Sequence, residues 1–128
     1  TPFEHRPYDM ELARCMRYYE KSYNDGTAIG TATTTGAQGA QGAQGETSTT
    51  AVASYVNFVT QKRTTPTITS YDSAGASGKI DRVAFGAAAN TGNTANIYES
   101  GDKGFIGYSA SGTAAHSIRM HYTAEAEL

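Results

Sequence analysis

Ser117-Ile-Arg-Met-His-Tyr-Thr-Ala-Glu-Ala-Glu-Leu128 carries the clearest period in this chain of 128 residues. Ile118, Met120, Tyr122, Ala124 and Ala126 fall on one face of an extended strand. Ser117, Arg119, His121, Thr123, Glu125 and Glu127 fall on the other. A two-residue repeat sustained this long predicts a central or well-paired strand rather than a frayed tail.

The same reading extends towards the N-terminus. Thr50 to Thr60 places Val52, Val56, Phe58 and Val59 beside Tyr55, Thr67 to Tyr71 alternates around Ile68, and Lys79 to Phe85 holds Ile80, Val83 and Phe85. Further strands are expected over Thr94 to Glu99, Gly104 to Ala110 and Ala115 to Ala126, with a weak, Gly-interrupted one over Gly26 to Thr35. Turn clusters fall at Asp72 to Gly78, Gly86 to Asn93, Ser100 to Gly104 and Ser111 to Thr113. Short strands roughly ten residues apart, with Gly-rich turns, predict an all-β fold: an antiparallel, jelly-roll-like β-sandwich over 26–128.

One helix precedes it. Pro2 and Pro7 hold Thr1 to Tyr8 extended, as a strap from a preceding module lying on a partner surface. Asp9 is a good N-cap, Glu11 sits where the helix dipole favours a carboxylate, and Leu12, Cys15, Met16, Tyr19 and Tyr23 recur at helical spacing. The pattern predicts a helix from about Asp9 to Ser22, closed by Asn24-Asp25-Gly26, so that 9–25 forms one helical segment with an apolar stripe. Cys15, on that stripe, reads as a small buried hydrophobe, and without a second Cys no internal disulfide is possible. A first residue other than Met reads as a fragment or a processed product.

Two Leu, six Ile, four Val and four Phe are few for a domain of this size, while the formal net charge of -2 is too small for disorder by self-repulsion. A thin core of this kind predicts that partner copies supply burial, in a closed homo-oligomer. Near-neutral charge offers no field for nucleic acid or anionic lipid. No apolar stretch approaches a membrane span and no secretory signal peptide is recognisable, so membrane insertion is not expected. The triplet repeat Gly36-Ala-Gln-Gly39-Ala-Gln-Gly42-Ala-Gln-Gly45 has two readings. It is a flexible loop grown by repeat slippage, or a brief three-chain bundle inside a trimer.

Three stretches together resemble the C-terminal tip domain of bacteriophage tail fibres and tailspikes. They are Thr1-Pro-Phe-Glu-His-Arg with the helix Glu11-Leu-Ala-Arg-Cys-Met-Arg-Tyr-Tyr-Glu-Lys-Ser-Tyr23, the central Gln61-Lys-Arg-Thr-Thr-Pro66-Thr-Ile-Thr-Ser-Tyr71, and the ending Met120-His-Tyr-Thr-Ala-Glu-Ala-Glu-Leu128. The resemblance implies a homotrimeric β-rich domain of the virion tail, made in the host cytoplasm. It implies host recognition through binding of a bacterial surface polysaccharide or lipopolysaccharide. It carries no ligand residues, and the repeat at 36–45 is an insertion relative to it. The alternative is a trimerisation cap that makes no receptor contact.

No zinc-protease, nucleophile-elbow or phosphate-loop motif is present and the carboxylates are scattered, so no enzyme, cofactor or resident metal is expected. Arg119, His121 and Glu125 share a strand face with His116 nearby. They read as a polar ladder, or as a ring in which three copies of His121 meet at an axis and hold an anion or metal. Gln61-Lys62-Arg63 reads as a solvated turn or a contact for acidic polysaccharide. Saccharide binding needs aromatic faces beside amides and carboxylates. Loop-adjacent Tyr71, Asp72, Asn90, Asn93, Tyr98 and Asp102, with Tyr108, are the ligand candidates. For each Tyr the other reading is a half-buried strand residue. Leu12, Cys15, Met16 and Tyr19 are the candidates for helix or trimer packing.

Overall fold

The computed structural model describes residues 6–41, 53–83, 88–109 and 117–127. Most of the strap, Val52, Phe85, His116, the turn at Ser111 to Thr113, the end of the Gly-Ala-Gln repeat and Leu128 lie outside those residues.

The chain is mostly antiparallel sheet with one short helix. After α1 (Tyr8–Met16) come β1 (Tyr19–Lys21), β2 (Gln38–Gln41), β3 (Ala53–Asn57), β4 (Thr67–Tyr71) and β5 (Lys79–Val83), then β6 (Asn90–Thr94), β7 (Asn96–Tyr98), β8 (Gly104–Tyr108) and β9 (Ser117–Glu125). The periodic last strand is the centre of the larger sheet. Its C-terminal half pairs with β1 and β4, and its N-terminal half with β2 and β5; β6 extends the sheet beyond β5. The smaller sheet has the order β3-β8-β7.

The apolar face of β9 is buried as its period predicts, through Ile118, Met120, Tyr122 and Ala124, and Ala126 just past the strand is buried with them. It meets Val56 and Phe105 from the smaller sheet and Ile80 from β5 in one core, with Phe105 edge-on to Tyr122 at 5.1 Å. Gly107 on β8 leaves space that Met120 fills, because an added Cβ would run into the methionine's Cε and Sδ.

The helix is shorter than expected. Pro7 caps it without a side-chain bond, and it ends in a tight turn where Arg17 N–H donates to Arg14 O and Tyr18 N–H to Cys15 O. Residues 19–21 are strand, because β9 offers them a ladder that continues on both sides. Ala126 N–H donates to Tyr18 O at 2.7 Å, and Ser22 N–H to Tyr122 O at 3.0 Å. Cys15, expected to be buried, is exposed, and α1 buries no residue.

Gly26 to Thr35 forms turns instead of a strand. The start of the triplet repeat is neither loop nor bundle, because Gln38–Gln41 pairs with Met120 to Ser117. Gly39 fits there because a Cβ would strike the Ile118 carbonyl and Arg119. Asn90 to Asn93, read as turn, belong with Thr94 to a polar strand against β5.

Candidate functional site

The outer face of β3-β8-β7 is lined by tyrosine. Registers place Tyr55, Ile106 and Tyr98 side by side in one row across the three strands, with Ala53, Tyr108 and Asn96 in the next row. Alternation turns Ser54, Val56, Phe105 and Gly107 inward, where they are buried. It leaves Tyr55 75% and Tyr98 51% exposed. Tyr98 stacks on Tyr108 with ring centroids 4.8 Å apart and planes 8° from parallel, and their hydroxyls are 2.6 Å apart. That hydrogen bond raises the Tyr108 pKa above its ordinary value.

Beside this face lies a shallow cleft of about 340 Å³, lined by Tyr55, Asn57, Glu99, Asp102, Lys103 and Ile106 among others. Glu99, at φ 48°, is the single non-Gly residue with positive φ among the described residues. Asp102 accepts a short hydrogen bond from Gln61 Nε2 at 2.5 Å, and its carbonyl accepts from Lys62 N–H at 2.7 Å. Tyrosine faces beside an amide and carboxylates can stack on the C–H faces of sugars and hold their hydroxyls.

Of the expected ligand residues, Tyr98 and Tyr108 pair on this face and Asp102 lines the cleft beside it. The other four lie on the larger sheet or, for Asp72, in the turn between two of its strands. Tyr71 is half-buried opposite His121 and edge-on to Tyr23 at 6.1 Å. Asp72 is 1% exposed, and its carboxylate accepts from the backbone N–H of Ala74, Ala76 and Gly92 at 3.1, 2.9 and 2.8 Å. It organises the β4–β5 turn and has no oxygen free for a ligand. Asn93 Nδ2 donates to Asn90 O at 2.6 Å, while Asn90 itself is exposed on the edge strand. Sequence reading passed over Tyr55 and Glu99 as site residues. The outward position of Tyr55 is implicit in its alternation with the buried Ser54 and Val56, whereas nothing local marks Glu99.

Each of the two polar clusters has one internal member, His121 in the first and Lys62 in the second. His121 is fully buried, stacked on Tyr23 at 3.9 Å, with Nδ1 3.0 Å from Ser22 Oγ and Nε2 3.0 Å from Thr33 O. Because Thr33 O can only accept and Ser22 Oγ already accepts from Tyr122 N–H, the bonds fit a neutral ring protonated at Nε2. Burial lowers its pKa, opposed by the Thr33 bond and by Asp81. Both ring nitrogens are engaged within the chain, which removes the threefold-axis reading. Arg119 joins a cross-strand ladder, 2.8 Å from Asp81.

Lys62, expected in a solvated turn or on acidic polysaccharide, is buried instead. Its Nζ donates to Glu20 Oε2 at 2.6 Å, Met16 O at 2.7 Å and Thr60 O at 2.8 Å. The other Glu20 oxygen accepts from Tyr122 Oη–H at 2.9 Å and Val59 N–H at 3.2 Å. Burial and this carboxylate push the Tyr122 phenol pKa well up. Arg63 lies over the Tyr18 ring at 5.1 Å.

Leu12, Cys15, Met16 and Tyr19 line a second groove of about 390 Å³ with Glu20, Lys21 and Asp25. No described group of His, Cys, Asp and Glu has the arrangement of a metal site, and no described helix is long and apolar enough to cross a membrane. No protein family, curated protein or solved structure matches this chain.

Proposed function

We propose that this chain is a non-enzymatic receptor-binding domain from the tip of a bacteriophage tail fibre, recognising a bacterial surface glycan on the outer face of β3-β8-β7. The observation that carries this reading is the exposed Tyr55, which shares a cleft with Asn57, Glu99 and Asp102, in one cross-strand row with Tyr98 of the stacked Tyr98–Tyr108 pair. The contact surface moves from the distal loops expected from sequence to a sheet face and the loop beside it. In this reading the two sheets form a β-sandwich that assembles as a homotrimer, and weak sites on several copies add through avidity. The test is retention on lipopolysaccharide and capsule purified from a panel of bacteria. Tyr55→Ala and Tyr98→Ala should each weaken retention about ten-fold or more, while Val59→Ala, another exposed apolar position, should keep it. Equal retention by all three variants refutes the site.

The structural-cap reading has its own observation in its favour. A nine-residue helix with no buried side chain is too short to persist in water unaided, so its uncovered stripe favours coverage by another surface. Light scattering that returns three times 13.5 kDa, with Cys15 shielded from a thiol reagent, supports assembly through that stripe. A trimer that labels at Cys15 as fast as an unfolded control would place the contact elsewhere.

A further inference from the structure

We propose that the tyrosine face takes a neutral glycan of at least three sugars laid across the strands, and that it disfavours acidic glycans. This rests on the glycan-binding reading above and specifies its ligand.

The length follows from register. Tyr55 and Tyr98 occupy the two ends of one cross-strand row with Ile106 between them, so their backbones stand two strand spacings, about 10 Å, apart. A single pyranose is shorter than that separation and rests on one ring. Three in succession place the outer two on the tyrosines and the middle one over Ile106, which is only half-buried. The Tyr98 platform is already set, because its ring is stacked and its hydroxyl committed to Tyr108, so little side-chain freedom is lost on binding. The direction follows too, since the row runs across the strands.

The charge preference follows from the lining. Among the described residues of the cleft, the carboxylates of Glu99 and Asp102 face a single cation, Lys103. The nearby basic residues are committed elsewhere: Lys62 is buried on Glu20, and Arg63 covers Tyr18. Glu99 keeps a left-handed backbone that a glycine would adopt more easily, yet makes no hydrogen bond or ion pair with a described residue. An exposed carboxylate there accepts hydrogen bonds from sugar hydroxyls and repels a uronate, sialate or phosphate.

The experiment is an array of neutral hexose and N-acetylhexosamine oligomers of one to six units, each beside its uronic-acid counterpart, probed with the whole chain. Affinity for the neutral series should rise about ten-fold from one unit to three as the second ring is reached, then level off. The uronates should stay weak. Tyr55→Ala should flatten the dependence on length while retaining the single-sugar signal, and Glu99→Lys should admit the uronates. Monosaccharides binding as well as trisaccharides, or uronates binding as well as neutral sugars, overturn this inference and leave glycan recognition standing. A silent array overturns both.

Discussion

Replacing Lys62 by Met should remove about 3–5 kcal/mol of stability, the scale expected when one partner of a buried ion pair is lost. The ammonium is the shared donor for Glu20, Met16 O and Thr60 O, with its side chain 0% and that of Glu20 4% exposed. Met fills the space of the alkyl stem but leaves a carboxylate oxygen and two carbonyls without their donor. At about 2 kcal/mol per molar in urea, the unfolding midpoint should fall by about 2 M. Far-UV circular dichroism and tyrosine fluorescence can follow the transition, the latter without interference because the chain has no Trp. Adding Glu20→Gln should recover more than half of the loss, since the amide still accepts from Tyr122 and Val59 without the buried charge. The exposed Arg6–Glu11 pair at 3.5 Å is the internal control, and Arg6→Met should cost no more than about 0.5 kcal/mol. A Lys62→Met loss below about 1 kcal/mol, or no recovery with Glu20→Gln, would refute the reasoning.

The buried His121 should make the fold acid-sensitive. Its folded pKa lies below the ordinary 6.5, so the unfolded chain binds the extra proton first and stability drops as pH falls below about 6.5; melting temperatures at pH 7.5 and 5.5 should converge in His121→Asn, and an unchanged gap would count against it. Asp72→Ala strips three backbone N–H groups of their acceptor and should cost about 3 kcal/mol while sparing glycan retention; lost retention at preserved stability would return Asp72 to the site. Gly39→Ala should lower stability by about 2 kcal/mol through its clash with the Ile118 carbonyl, whereas Gly101→Ala, in open space, should be neutral in the same urea titration. Equal midpoints for the two glycine variants would mean that β2 is not held in this register.

The elements readable in sequence were those whose burial follows their own period. Thr67 to Tyr71 matches β4 residue for residue, and the face of β9 from Ile118 to Ala124 is the core face. The helix over-ran because Tyr19 and Tyr23 continue its spacing, while the partners that make Tyr19–Lys21 a strand and bury Glu20 lie far along the chain, at Thr123 to Glu125 and Lys62. The strand Asn90–Thr94 has no apolar alternation to read; its backbone is held by β5. His121 and Thr123 were read on the polar face of the last strand, yet both are buried, and Tyr23 and Thr33, from the turn segment that follows β1, lie against His121. In the site, residue types were legible and their grouping was not, since only register sets Tyr55 and Tyr98 in one row, while Asp72 is spent on the turn between β4 and β5.

The central place of β9 also governs how the molecule is made. In a chain emerging N-terminus first, β1, β2, β4 and β5 all appear before the strand that pairs them, and Glu20 waits 102 residues for Tyr122. Contacts so distant in sequence set a slow folding time, on the order of milliseconds to seconds. Through that interval several strand edges have no partner and are prone to pair with other copies of the chain. A nascent chain stalled before Ser117 therefore lacks most of the larger sheet's ladder, and the yield of native protein depends on how promptly that final pairing occurs.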